Sequence, residues 1–392
     1  MKKLFIMNLG TTSFKFKLYL FSEEAQRVLA SGEIESVGAD LSAYNLQLGE
    51  TNKVTGKTHI PDHAAGFTFC VDALQQSGIL DDMADLDAVG YKAVHGGSLS
   101  GTQPVDDKLL TEMERMSPLV PAHNPIYLQA MKDIRDRYPN LKQIARFETS
   151  FHGTIPDCRT TYGVPYQWRE NLGIRKYGFH GSSHEYIAGK MQQLCPEAKR
   201  IISCHLGGSS SICAIKDGKS IATTMGATAQ SGLFNNNRVG DFEVFCLPML
   251  MEYYGGSLEN VLNVLSKESG LLGLSGVSND LRQALQAMDE GNERARLAVE
   301  TLVDNIVGYI GMYTAYLGGL DALVFTGGIG LHSDRIRKMV CERLAYLGLA
   351  LDAEKNAAAN AERISSAGSS VGVYRLKTDE EIVVARNVYG ML

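Results

Sequence analysis

The sequence predicts an α/β protein made of two related domains. Strand-like apolar runs alternate with helical patterns along the chain, the mixture that defines the class. The 392 residues are enough for two cores at roughly 100–200 residues per domain. A segment near the start is also echoed about half a chain later: Asn8-Leu9-Gly10-Thr11-Thr12-Ser13 can be laid on His205-Leu206-Gly207-Gly208-Ser209-Ser210. Each follows one apolar strand and leads into another, as a duplicated domain would leave behind.

In chain order, strands are expected at Leu4–Leu9, Phe14–Phe21, Ala88–Val94, Gln143–Phe147, Arg200–His205, Ser211–Ile215, Ala322–Thr326 and Gly372–Leu376. The longest helix is expected over about Asn292–Leu317. There Leu297, Leu302, Val303, Ile306, Val307 and Ile310 recur at helical spacing, and Gly318-Gly319 supplies a C-cap. A glycine turn, Thr326-Gly327-Gly328-Ile329-Gly330, is expected directly after the strand Ala322–Phe325. The alanine-rich stretch Ala357–Ala361 reads as a surface helix.

Composition narrows the function. A net charge of −6 argues against a nucleic-acid or anionic-membrane partner, since such proteins carry a basic face. No apolar run reaches the ~18–20 residues of a membrane span, and the N-terminus enters a strand too soon for a signal peptide. Seven cysteines, an odd number without a CxxC, read as reduced thiols in a cytoplasmic protein.

A bend of Gly, Ser and Thr exposes backbone N–H groups that no strand uses, and these, with the hydroxyls, form a nest for phosphate oxygens. Gly10 and Gly207 permit close backbone approach, and Lys15 adds charge. A plain hairpin would use similar residues. Two matched bends and a third glycine-rich one favour phosphate binding. The P-loop pattern GxxxxGK[ST] is absent.

Beyond this point the ordered motifs resemble those of the acetate kinase family, within the acetate and sugar kinase, Hsp70 and actin superfamily. They run from Asn8 to Arg386: the Asn-x-Gly-hydroxyl bend with Lys15, Val94-His95-Gly96-Gly97, His123-Asn124-Pro125 and Phe151-His152. Tyr177 to His184, Cys204-His205-Leu206-Gly207, Met225-Gly226, Arg238-Val239-Gly240-Asp241, Phe325 to Gly330 and Thr378-Asp379-Glu380-Glu381 follow. The resemblance implies two duplicated ribonuclease H-like (actin-like ATPase) domains with a nucleotide cleft between them, at 1–148 joined by a C-terminal helix 383–392, and at 149–382. It implies reversible transfer of the ATP γ-phosphoryl group to acetate or a somewhat larger carboxylate, giving an acyl phosphate and ADP, with Mg²⁺ and a homodimer.

The same resemblance assigns roles. Arg238 matches the arginine that stabilises the transferring phosphoryl, a task suited to a guanidinium fork. His180 matches the histidine that donates to the transferring phosphoryl, His123 a second active-site histidine and Glu148 the key acidic residue. Lys92, Val94, Ala122, Phe179 and Ala229 fall at carboxylate-binding positions. Thr11, Ser13, Lys15, His205, Gly207, Gly208, Gly327, Gly328 and Gly330 fall at phosphate and nucleotide positions, and Asn8, Glu380 and Glu148 on the metal side. The HxxxH spacing of His180 and His184 also resembles a zinc pair, but no acidic partner accompanies it.

Several positions depart from the family pattern. Phe-Asp-Thr is Phe147-Glu148-Thr149, the arginine before Val-Val-His is Lys92, and a bend asparagine is Gly208. An Arg-to-Lys change loses the planar fork. Ala122 and Ala229 stand where larger residues line the acyl pocket, which predicts an acid larger or more polar than acetate. Gly330-Leu331-His332 replaces Gly-Glu-Asn, leaving pyrophosphate as an alternative donor. Two other readings are a weakened paralogue that binds nucleotide or acyl phosphate, and a kinase for a hydroxyl acceptor with Glu148 as base.

Overall fold

The computed structural model describes residues 1–392. The chain divides into two compact units, Met1–Gly153 with Asp379–Leu392, and Thr154–Thr378. The boundaries expected from sequence were 148/149 and 382/383, so Asp379–Glu381 travel with the first unit here.

The first unit is built on an eight-stranded sheet. Its strands are β1 (Lys2–Leu9), β2 (Ser13–Phe21), β3 (Gln26–Glu35), β4 (Ser42–Leu48), β5 (Asn52–Thr58), β6 (Ala88–Ala93), β7 (Thr102–Pro104) and β8 (Gln143–Phe147). The order is β5-β4-β3-β2-β1-β6-β8-β7. β1 pairs antiparallel with β2 and parallel with β6, which pairs parallel with β8. Leu4, Phe5, Ile6 and Met7 are all buried because β1 is covered on both faces. β2 alternates instead, burying Phe14, Phe16 and Leu18 while Lys15 and Lys17 take the other face. The C-terminal helix, Glu380–Tyr389, packs on β1, β6 and β8. Gly90 makes room for it: a Cβ there would lie 2.8 Å from Val388 and 2.6 Å from Ile6.

The second unit has five strands: β9 (Arg200–His205), β10 (Ser211–Lys216), β11 (Lys219–Thr223), β12 (Ala322–Thr326) and β13 (Gly372–Arg375). Their order, β11-β10-β9-β12-β13, reproduces β3-β2-β1-β6-β8 with the same directions. The echo in the sequence is therefore an echo in topology: Leu9–Ser13 and His205–Ser211 are the same first hairpin of two equivalent sheets. The first unit adds β4, β5 and β7 at its edges.

The long helix runs Glu293–Leu317, capped by Asn292, whose side chain accepts from the N–H of Ala295, and ended by Gly318 in the left-handed region. It buries Leu302, Val303, Ile306 and Ile310 against the second core, but Leu297 is exposed, because the buried stripe at that turn passes through Ala295, Ala298 and Val299. Two other expectations are corrected. Thr326–Gly330 is not a loop: Gly327–His332 is a short helix that starts directly off β12. Ala357–Ala361 is not a helix: the helix there is Ala353–Ala357, and the chain turns extended at Ala358.

Candidate functional site

In the first unit, the C-terminal ends of β6 and β8 and the start of the C-terminal helix bring charged side chains together. This is the end of a parallel sheet where α/β proteins place ligands. Lys92 projects from β6, with Nζ 2.6 Å from Glu380 Oε2 and 3.9 Å from Glu148 Oε1. Glu148 follows β8, its N–H donating to the Ala93 carbonyl at 2.9 Å. Burial lowers the pKa of Lys92, but the charges of Glu148 and Glu380 and the hydrogen bond to Glu380 together outweigh it, and the net shift is upward. Lys92 is therefore an ammonium clamped between two carboxylates.

Next to it, Lys17 Nζ lies 2.9 Å from Asp379 Oδ1 and 3.4 Å from Glu381 Oε2, and Asn8 Nδ2 donates to Glu381 Oε1 at 3.4 Å. Sequence reasoning passed over Lys17, whose place in an alternating strand reads as solvent-facing. The side chains of Asp379, Glu380, Glu381 and Glu148 meet those of Lys17 and Lys92, which leaves an excess of negative charge. No group of three or more His, Cys, Asp or Glu side chains is placed to hold a metal ion by itself. Glu380 and Glu148, which share Lys92, suit Mg²⁺, which keeps most of its waters and takes one or two protein carboxylates plus phosphate oxygens; Asn8 touches the neighbouring Glu381.

The first bend is held from below. Gly10 N–H donates to the Ser13 carbonyl at 2.8 Å, and His63 Nε2, at the start of helix His63–Gln76, donates to the carbonyls of Gly10 (2.9 Å) and Ser13 (3.3 Å). Burial lowers the pKa of His63. Nothing in the sequence around His63 signals this contact. Thr11 is exposed, its hydroxyl 3.4 Å from the Ala122 carbonyl. Lys15 shares the face of β2 that carries Lys17 and stands opposite Asn8, with its ammonium paired to Glu33 at 2.7 Å across the β2–β3 register. His123 precedes the helix Asn124–Arg137, and Val94 packs on the first core.

His95, from the same family motif as Val94, is fully buried. Its Nδ1 accepts from the Gly97 N–H at 3.0 Å, and its backbone pairs with Asn124, which ties the ends of β6 and the His123 segment. Burial lowers its pKa to about 4, with Glu112 opposing. The unfolded imidazole takes a proton below about 6.5, whereas the folded one stays neutral down to about 4. Stability is thus full above 6.5 and falls as pH drops through that window, by about 3 kcal/mol. Urea midpoints measured from pH 7.5 to 4 should show this loss, and His95→Asn, which keeps an acceptor for Gly97, should flatten it.

In the second unit, His180 stands at φ +58°, left-handed, just before the helix Gly181–Leu194. That strained placement turns its ring toward β9 and β10: Nδ1 is 2.8 Å from Ser211 Oγ, and the ring stacks on His205 at 4.3 Å. His205 Nδ1 meets Ser183 Oγ at 2.8 Å. Buried His184 has both ring nitrogens on serine hydroxyls, Ser203 (2.9 Å) and Ser211 (2.9 Å), an arrangement that answers its HxxxH spacing without zinc. Phe179 is buried beside them.

The second bend is braced by Ser210, whose hydroxyl donates to the Gly207 carbonyl and whose N–H donates to Asn235 Oδ1 at 2.7 Å. Asn236 Nδ2 lies 3.6 Å from where a Cβ on Gly208 would stand, so its amide occupies the neighbourhood of the side-chain donor that Gly208 lacks. Arg238 Nη1 donates to Ser209 Oγ (3.1 Å) and to the Ala229 carbonyl (3.3 Å), which docks the guanidinium on the bend. Gly327, at φ +75°, is required here: a Cβ would come within 2.5 Å of the Leu206 carbonyl, which accepts from the N–H groups of Ile329 and Gly330. Gly328 and Ile329 then line a cavity of about 860 Å³ with Asn236, Leu281, Leu285 and His332. Its 279–286 wall carries no motif, and sequence reasoning missed it.

The acetokinase family model matches residues 3–386. The chain is 40% identical to the acetate kinase of Bacillus subtilis (strain 168) and 39% identical to that of Bacillus cytotoxicus, over 99% of this chain and 98–99% of each relative. Among solved structures, the acetate kinase of Porphyromonas gingivalis matches with a TM-score of 0.88 at 34% identity over 100% of both chains. A propionate kinase from Francisella tularensis matches with a TM-score of 0.90 at 31% identity over 99% of both. Two equivalent sheets, each opening on a hydroxyl-lined bend, with these motifs in this order along the whole length, place the chain in the acetokinase family.

Proposed function

We propose that the chain transfers the γ-phosphoryl group of ATP, reversibly, to the carboxylate of a short-chain acid, giving an acyl phosphate and ADP. Family membership supports the reaction class, and one observation carries the chemistry in this chain: Arg238, clear of any carboxylate, is held by its Nη1 on Ser209 and Ala229 at the second bend. Phosphoryl transfer requires mainly positioning and positive charge around the equatorial oxygens. His180 adds a donor, with His123 as a second active-site histidine. The bend Gly207–Ser210 and the Gly327–Gly330 segment would bind the nucleotide phosphates, and the cavity beside Gly328 suits a nucleoside in size. With magnesium bound, charge on the phosphate oxygens is offset; Glu380 and Glu148, with Asn8, are the residues that would hold it. Lys92 would face the acceptor carboxylate, with Val94 and Ala122 as the acyl-chain candidates of the first unit and Phe179 and Ala229 as those of the second.

The small side chains at 122 and 229 support an acid larger than acetate. A hydroxamate assay with ATP, Mg²⁺ and acetate, propionate, butyrate and hydroxy acids tests both statements. Product with a short-chain acid, best above two carbons, is expected. Acetate clearly best would remove the larger-acid reading, and no product with any acid would remove the kinase reading in favour of a binding paralogue. Pyrophosphate in place of ATP should give none.

Seven free cysteines, four of them buried, support a reducing, cytoplasmic setting, and no helix is long and apolar enough to cross a membrane. Phe245 is 85% exposed, Tyr253 81% and Met249 73%, a density of large apolar side chains in residues 242–262 that supports a homodimer through this segment. Light scattering should give twice the 42.7 kDa chain mass, and Phe245→Glu with Tyr253→Glu should give a monomer.

A further inference from the structure

We infer that Ser203, His184 and Ser211 form a hydrogen-bonded chain that sets which ring nitrogen of His180 carries its proton. The inference rests on the reading of His180 as a donor to the transferring phosphoryl. The contacts run in one line: Ser203 Oγ to His184 Nδ1, His184 Nε2 to Ser211 Oγ, and Ser211 Oγ to His180 Nδ1, at 2.9, 2.9 and 2.8 Å. Ser203, His184 and Ser211 are each fully buried. A buried line of this kind can be filled with protons in only two senses, because each hydroxyl has one proton and a neutral imidazole has one N–H. In the first sense Ser203 donates to His184, His184 donates from Nε2 to Ser211, and Ser211 donates to His180 Nδ1; the proton of His180 is then on Nε2. In the second sense every donor is reversed, and Nε2 of His180 is bare.

Only the first sense makes His180 a donor to a phosphoryl oxygen. The His205 ring, stacked at 4.3 Å and 20°, disfavours charge on both rings together, since two stacked imidazolium ions would repel. The hydrogen bond at one ring nitrogen decides the state of the other, so Ser211 acts through His180 and His184 acts through Ser211. These are positioning residues, held on β9, β10 and the helix Gly181–Leu194, where strand pairing keeps the distances fixed. The left-handed backbone of His180 is the cost of bringing Nδ1 to Ser211.

The test uses the full-length protein labelled with ¹⁵N-histidine. Two-bond ¹H–¹⁵N spectra of the wild type should show His180 as a single tautomer with the proton on Nε2. Ser211→Ala should shift His180 to a mixture of tautomers and lower kcat by roughly 10- to 100-fold, with KM for the carboxylate within about twofold. His184→Gln, whose amide nitrogen takes the place of Nε2 and can still donate to Ser211, should retain the wild-type tautomer and most of kcat, while His184→Met should behave like Ser211→Ala. Thermal melts identify any variant that fails to fold. A bare Nε2 in the wild type, or a tautomer unchanged by both Ser211→Ala and His184→Met, overturns the inference. Absence of kinase activity on every acid would instead overturn the function proposed above, leaving the tautomer readable.

Discussion

Arg238→Ala should lower kcat about a thousandfold or more and change KM for either substrate only a little. An arginine serving the transferring phosphoryl contributes on the order of 10³–10⁵ in rate, because its charge matters most when charge spreads over the equatorial oxygens. The surroundings of Arg238 fit that use. Its only protein partners are neutral, the hydroxyl of Ser209 and the carbonyl of Ala229, so no carboxylate cancels its charge. Burial lowers its pKa, but a guanidinium remains protonated at any working pH. Arg238→Lys keeps the charge without the fork and should recover only a small part of the loss. Steady-state kinetics of both variants, with melting curves to show an intact fold, check the expectation; a KM effect without a kcat effect would make Arg238 a binding group only.

Lys92→Met should be the most destabilising single change at the candidate site, by about 3 kcal/mol or more. The ammonium sits 2.6 Å from Glu380 and 3.9 Å from Glu148, and both carboxylates are largely buried. Removing it leaves two like charges facing each other with reduced solvation. Its raised pKa means that it is charged throughout the neutral range, so the loss should be seen at any pH from about 5 to 9. Urea unfolding measures the loss directly. The pairing also bears on the two family departures. Glu148 is one methylene longer than the family aspartate, and Lys92 is a point cation where the family has a fork; their ion pair shows that the longer acid still reaches the cation. Lys92→Arg combined with Glu148→Asp should therefore disturb stability less than Lys92→Arg alone.

The parts of the fold that read well from sequence are those in which one force acts alone. The middle of β1, Leu4–Met7, and β12 up to Phe325 are buried on both faces and appear as unbroken apolar runs. The two hairpin bends announce themselves because Gly and hydroxyl residues have few other uses after a strand. β3, β4 and β5 did not read, since they lie toward the open edge of an antiparallel sheet: Asn52–Thr58 has no buried residue, and Gln26–Glu35 has no clean alternation. At the site, the residues carried by motifs were found, whereas their supports were not. His63 reaches Gly10 across 53 positions, and Lys17 reaches Asp379 across 362; such pairs exist only once the chain has folded. Lys15 was legible from its place after the bend, but its pairing with Glu33 on the neighbouring strand was not.

The most direct measurement is ³¹P NMR of the protein with ATP, Mg²⁺ and its best carboxylate, followed in time. The proposed reaction predicts one acyl phosphate formed for each ADP, reversed on adding excess ADP, and abolished in Arg238→Ala. Inorganic phosphate appearing in step with ADP without acyl phosphate, or a phosphomonoester formed only with a hydroxyl-bearing acceptor, would contradict it.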